Sequence, residues 1–63
     1  MRSELVNKRK MLKLSQAAVA RKVGISRAAY AKYEIGLRTP NVNTAMGIAD
    51  ALGVKVDKIF LSQ

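Results

Sequence analysis

Apolar residues in this chain recur at helical spacing, in short runs broken by glycine, proline or polar residues. Five helices follow from that pattern. The first is expected at about residues 4–12, with Ser3 as its N-cap. Glu4 lies at its positive end and Lys8, Arg9 and Lys10 towards its negative end, in keeping with the macrodipole. Leu5, Leu12 and the stem of Lys8 line its inner side. A second helix runs over 16–23 behind Ser15, and a third over 27–35 behind Ser26, ending before Gly36. Tyr30 and Tyr33 point one way on the third helix, into the core with their hydroxyls reaching the surface. Ala28, Ala31, Lys32 and Ile35 point the other way, with Arg27 on the flank. Arg38-Thr39-Pro40 is a turn, because proline disfavours helix in the residue before it. Asn41 or Asn43 caps a fourth helix reaching Leu52, with Val42, Ala45, Ile48, Ala49 and Leu52 on its inner face and Gly53 closing it. Residues 56–60, Val56 to Phe60, form a last short helix. Gly47 falls mid-helix, at a cost of roughly 1 kcal/mol relative to Ala, and has no assigned role.

The densest signals lie between Ser15 and Glu34. Both helices there open on a serine able to accept from free N–H groups, and Gly24 between them can take the positive φ of a tight turn. Ala20 is small enough for the second helix to be crossed closely, and Val19, Val23 and Ile25 supply apolar contacts around the turn. Two helices joined by a turn of about 3–4 residues containing glycine make a helix-turn-helix. The pattern resembles the phage Cro/repressor family of XRE-type regulators. Gln16, Ala20, Gly24 and Ile25 stand where that family places Gln, Ala, Gly and an apolar residue. The resemblance runs from about Leu5 to Phe60 and includes Leu14-Ser15-Gln16, Glu34-x-Gly36, Arg38-x-Pro40 and Ala49-x-Ala51-Leu52-Gly53-Val54. It implies an all-α, five-helix lambda-repressor-like domain over residues 1–63, with the helix-turn-helix at helices 2 and 3. Lys13 stands where the family often has Gly, so a positive φ is expected there.

Charge points to a polyanionic partner. The chain carries a formal +8, with ten Lys/Arg and two Asp/Glu in residues 1–38 and a net charge of zero over 39–63. All the excess therefore sits on the part holding the helix-turn-helix, where it would attract phosphate and displace counterions. A solvated basic surface that only keeps the protein in solution explains the charge alone equally well; the motif tips the reading to double-stranded DNA. Cysteine and histidine are absent, which removes disulfides, thiol catalysis, Cys-based zinc fingers and the commonest general base. No metal, cofactor or small-molecule ligand is expected. No signal-peptide pattern is visible and no apolar run approaches the roughly 18 residues needed to span a bilayer. A cytoplasmic protein of bacterial or phage origin, without a separate effector domain on this stretch, is the resulting expectation.

The resemblance assigns roles to particular residues. Ser26, Arg27, Ala28 and Lys32 map onto the groove-reading positions, on a face narrow enough for a major groove about 12 Å wide. Arg27 suits guanine O6 and N7, Ala28 a thymine methyl, and Lys32 a base edge or a phosphate. The plainer alternatives are solvated charge for Arg27 and Lys32 and simple helix propensity for Ala28 and Ala31. Gln16 maps onto a phosphate contact that also steadies the reading helix; Arg38, Lys10 and Arg21 are further phosphate candidates. Ile35 departs from the polar residue that many relatives carry before the glycine, which removes one backbone contact. An Arg on the first helix commonly pairs in this family with the Glu ending the third, here Arg9 and Glu34, as scaffold.

One reading helix covers too few base pairs to single out a site, so the relatives' habit of binding palindromes as dimers is expected here. A homodimer would join through the uncharged half, with Val54, Leu61 and Met46 as interface candidates, while the resemblance implies that Val56, Ile59 and Phe60 complete the core. A monomer that pairs only on DNA competes with that arrangement. Two other functions remain in view: an antitoxin bound to a toxin, and a protein-interaction module that kept the fold without operator recognition. An aromatic stacking platform built on Tyr30 and Tyr33 is disfavoured by their three-residue spacing on the apolar side. Enzymatic chemistry is least favoured, because the four carboxylates are dispersed and no nucleophile–base constellation exists. A membrane-surface peptide fits poorly, since the apolar residues are arranged for a compact core.

Overall fold

In a computed structural model, residues 1–56 and residue 60 are described. Among them are four helices and no strand: α1 (Ser3–Met11), α2 (Gln16–Val23), α3 (Arg27–Ile35) and α4 (Val42–Leu52). The fifth helix expected at 56–60 falls largely on residues 57–59, which lie outside the described residues.

Local chemistry explains the helix ends. Ser15 Oγ accepts from the Ala18 N–H at 3.0 Å, Ser26 Oγ from the Ala29 N–H at 3.0 Å, and Asn41 Oδ1 from the Thr44 N–H at 2.8 Å. Each removes one of the orphan donors at a helix start. Of the two asparagines considered for α4, Asn41 is the cap. At the other end of α2, Gly24 takes φ 86° and its N–H bonds the Ala20 carbonyl, which turns the chain directly into α3. A side chain there would be strained against its own backbone, so glycine is favoured.

α1 begins differently from expectation. Arg2, not Ser3, occupies the N-cap position, and no side chain caps the helix. The Arg2 N–H instead donates to the Glu34 carbonyl at 2.8 Å, so this end of α1 is fixed by the end of α3. At the far end of α1, Lys13 has φ 58°. It is held there by the Leu14 N–H bonding the Arg9 carbonyl at 3.2 Å while Arg9 Nη1 donates to the Leu14 carbonyl at 2.9 Å.

The core gathers Leu5, Val19, Ala20, Tyr30, Ala45, Ile48, Leu52 and Phe60, ringed by Leu14, Val23, Ile25, Tyr33, Val54 and Val56. Every described helix contributes to it. Leu12 and Val42 do not, against expectation: they are 44% and 69% exposed. Leu12 lies past the end of α1, and Val42 opens α4 a turn before Ala45, where burial in that helix begins. Gly47 gains a role from packing. A methyl group built on it would lie 3.3 Å from Val23 Cγ1, so the missing side chain lets α4 close on the end of α2. Gly47→Leu is therefore expected to cost about 1–3 kcal/mol by overpacking.

Candidate nucleic-acid interface

α3 presents two unlike faces. Its inner face carries Tyr30 and Glu34, both buried, with Tyr33 half-buried beside them. Arg27, Ala28, Lys32 and Ile35 are exposed on the other side, and Ala31 is half-buried. Ser26 is exposed at the helix start with its oxygen engaged in capping, which leaves its hydroxyl proton free for another partner.

A polar lattice locks the inner face. Arg9 Nε donates to Glu34 Oε2 at 2.6 Å, and Arg9 Nη2 to Glu34 Oε1 at 3.3 Å, a two-pronged pair spanning α1 and α3. Gln16 Nε2 donates to the same Oε1 at 3.0 Å, bringing in the first turn of α2. The remaining prong of Arg9 reaches the Leu14 carbonyl in the turn between α1 and α2. A single carboxylate thus fixes three helices. Burial alone would raise the Glu34 carboxyl, but hydrogen bonds from Arg9 and Gln16, with the Arg9 charge, outweigh it and hold the group below its ordinary value. Arg9 is correspondingly held above its own, chiefly by its hydrogen bonds to Glu34.

Tyr30 adds to this cluster in an unexpected way. Its hydroxyl does not reach the surface; it is buried without a well-formed hydrogen bond among the described residues. Burial, then the neighbouring Glu34 carboxylate, pushes the phenol well above its ordinary range.

The remaining candidates are spread over the basic half. Arg38, Lys10 and Arg21 are exposed, and Gln16 is half-buried by its bond to Glu34. Arg27 and Lys32 join Lys10, Lys13, Arg21, Lys22 and Arg38 as exposed cations, against one exposed acid, Glu4, in residues 1–38. Of the interface candidates, Met46 is 51% exposed, Val54 is half-buried against the core, and Leu61 lies outside the described residues.

One residue escaped the sequence reading. Arg2 is 7% exposed, and its guanidinium binds the end of α3 and the loop after it. Among the described residues, no cluster of three metal-ligating side chains exists, and no helix is long and apolar enough to cross a membrane.

A cap-turn-cap helix pair with a locked inner face and a small, basic outer face defines a class. Residues 5–59 match the helix-turn-helix family, and the chain belongs to that family of DNA-binding transcription regulators, of XRE type. Among curated proteins it is similar to the cryptic phage CTXphi transcriptional repressor RstR of Vibrio cholerae, 38% identical over 58 residues, which cover 92% of this chain and 52% of that protein. It is also similar to the uncharacterized HTH-type transcriptional regulator YqaE of Bacillus subtilis, 45% identical over 52 residues, 82% of this chain and 45% of that protein. The chain thus spans about half the length of the curated relatives it matches. No solved structure matches it significantly.

Proposed function

We propose that this chain is the operator-binding domain of a transcriptional repressor, acting as a homodimer on palindromic DNA. The observation that supports it most is the contrast across α3: an inner face tied by Arg9, Gln16 and Glu34, and an outer face of small and basic residues. A helix fixed from behind can enter the major groove without first being ordered, which lowers the entropic cost of binding. In this reading Ser26, Arg27, Ala28 and Lys32 meet base edges, and Gln16, Arg38, Lys10 and Arg21 meet phosphates. Two copies join through the uncharged half by Met46, Val54 and Leu61, setting their reading helices about 34–36 Å apart. The name of the Vibrio relative, a phage repressor, agrees with this assignment.

Selection of bound duplexes from a random pool tests it. Inverted half-sites centred about 10 base pairs apart are expected. On the selected site, Arg27→Ala should cost about 1–3 kcal/mol and relax one position, while Arg38→Ala should weaken all sequences alike. Equal loss of specific and non-specific binding in Arg27→Ala would remove its base-reading role. Sedimentation that stays monomeric at micromolar concentration, unchanged by Leu61→Lys, would exclude a preformed dimer.

A further inference from the structure

Arg2 is a buried cation whose partners, among the described residues, are all neutral. Nη1 donates to the Tyr33 carbonyl and, at 3.1 Å, to the Arg38 carbonyl. Nη2 donates to Thr39 Oγ1 at 3.1 Å, and the guanidinium lies 5.2 Å from the centre of the Phe60 ring. Its main-chain N–H holds the Glu34 carbonyl as well. Tyr33 and Glu34 belong to the last turn of α3, where unpaired carbonyls gather the negative end of the macrodipole. Those oxygens and the electron-rich ring face offset part of the cost of burying the cation, while Nε is buried without a partner among the described residues.

The same residue supplies the loop's hydrogen bonds, beside a buried Pro40. Among the described residues, the two hydrogen bonds made by residues 38–40 both come from Arg2. The Arg38 side chain itself is exposed. We infer that Arg2 is a positioning residue for DNA binding: it fixes the backbone of Arg38 so that this side chain meets phosphate without first being ordered. The inference rests on the DNA-binding reading above and deepens it. An unfixed loop would have to lose its freedom on binding, and that loss would appear as weaker affinity. Because the guanidinium also sits on Phe60, the loop is braced against the C-terminal part of the chain.

A mutant cycle between Arg2 and Arg38 provides the test, read by titration with a mixed-sequence duplex about 20 base pairs long, since phosphate contacts do not depend on sequence. Arg2→Met is expected to weaken binding about 3- to 10-fold and to lower the salt slope by about one. In that background Arg38→Ala should cost less than about twofold, because the contact it removes is already lost. Arg2→Lys keeps the charge but cannot span Tyr33, Arg38 and Thr39 at once, so it should behave like Arg2→Met in the cycle. Should Arg2→Met melt near the assay temperature, Thr39→Val removes one tie and carries the same cycle with a smaller, still non-additive effect. Fully additive losses, or full rescue by Arg2→Lys, would overturn the inference while leaving DNA binding intact. A parent chain without salt-sensitive binding would overturn the DNA-binding reading itself, and this inference with it.

Discussion

The two ends of α1 both fasten α3, by opposite means. At Arg9 the fastening is a carboxylate: Glu34 accepts two prongs of the guanidinium, and Gln16 shares the same oxygen. At Arg2 it is main chain, a guanidinium among carbonyls and one hydroxyl. The first arrangement sets charge against charge and cannot lose one member without stranding the other. The second sets charge against dipoles that water can also satisfy once the loop opens. One is therefore a strut of paired charges and the other a fastening of a charge by dipoles, which should cost less to break.

Substitution should separate them. Arg9→Met leaves the Glu34 carboxylate buried and unpaired and is expected to destabilise the fold by about 3–5 kcal/mol. Arg2→Met strands no charge; only carbonyls and a hydroxyl near the surface lose a partner, and about 1–3 kcal/mol is expected. Lys10→Met, on an exposed side chain next to Arg9 in sequence, should move stability by less than about 0.5 kcal/mol. Thermal or urea unfolding of the three variants ranks them. Equal losses for Arg9→Met and Lys10→Met would remove the strut.

Acid sharpens the same contrast. The Glu34 carboxyl is held below its ordinary value of 4.5 in the folded chain. Its contribution is therefore present above that value and is lost as pH falls through the lower folded one. In Arg9→Met the main cause of the depression is gone and the Gln16 hydrogen bond is left to oppose burial, so the sign is expected to invert: mild acid, from about pH 7 to pH 5, should recover part of the lost stability. The Arg2 fastening involves no carboxylate, and Arg2→Met should follow the parent's profile. Melting temperatures across that range decide it; an Arg9→Met variant that weakens on acidification would contradict the buried, unpaired Glu34.

A small gain, rather than a loss, is expected at the turn that the strut encloses. Lys13 sits at φ 58°, held by the bonds between Arg9 and Leu14. Lys13→Gly relieves about 1–2 kcal/mol of left-handed strain but gives the unfolded chain more freedom, so a gain of about 0.5–1 kcal/mol is expected in chemical unfolding. No gain would mean that the turn bears no strain.

These regions differ in how readable they are from sequence. Ser15, Gly24, Ser26 and Gly36 announce helix boundaries because the residue type itself supplies the missing acceptor or the left-handed backbone. The Arg9–Glu34 pair can be sought because both members are charged side chains on a recognisable scaffold. Arg2 has no such signature, since its partners are mostly main-chain carbonyls that every residue carries, with one hydroxyl and one ring face that no spacing rule connects to it. Ser3 misled for a related reason: a serine before a helix offers a cap, but the Arg2 N–H is already committed to Glu34 and the helix starts one residue early. Leu12 and Val42 fit the apolar pattern, yet they sit at helix ends beyond the packed surface. Gly47 carried no signal at all; its reason is Val23, 24 positions away, and only the packed fold brings them together.

Tyr30 is one of two tyrosines in a chain without tryptophan, and its phenol lies sealed beside Arg9 and Glu34. Burial and the neighbouring carboxylate keep it from ionising in alkaline solution while α3 stays seated. Phenolate formation at Tyr30 is therefore favoured by any opening that takes α3 off Arg9 and Glu34, and the accompanying rise in ultraviolet absorbance is expected to mark that event. α3 thus carries its own optical gauge, one that needs neither label nor DNA to report whether the helix is seated on the core.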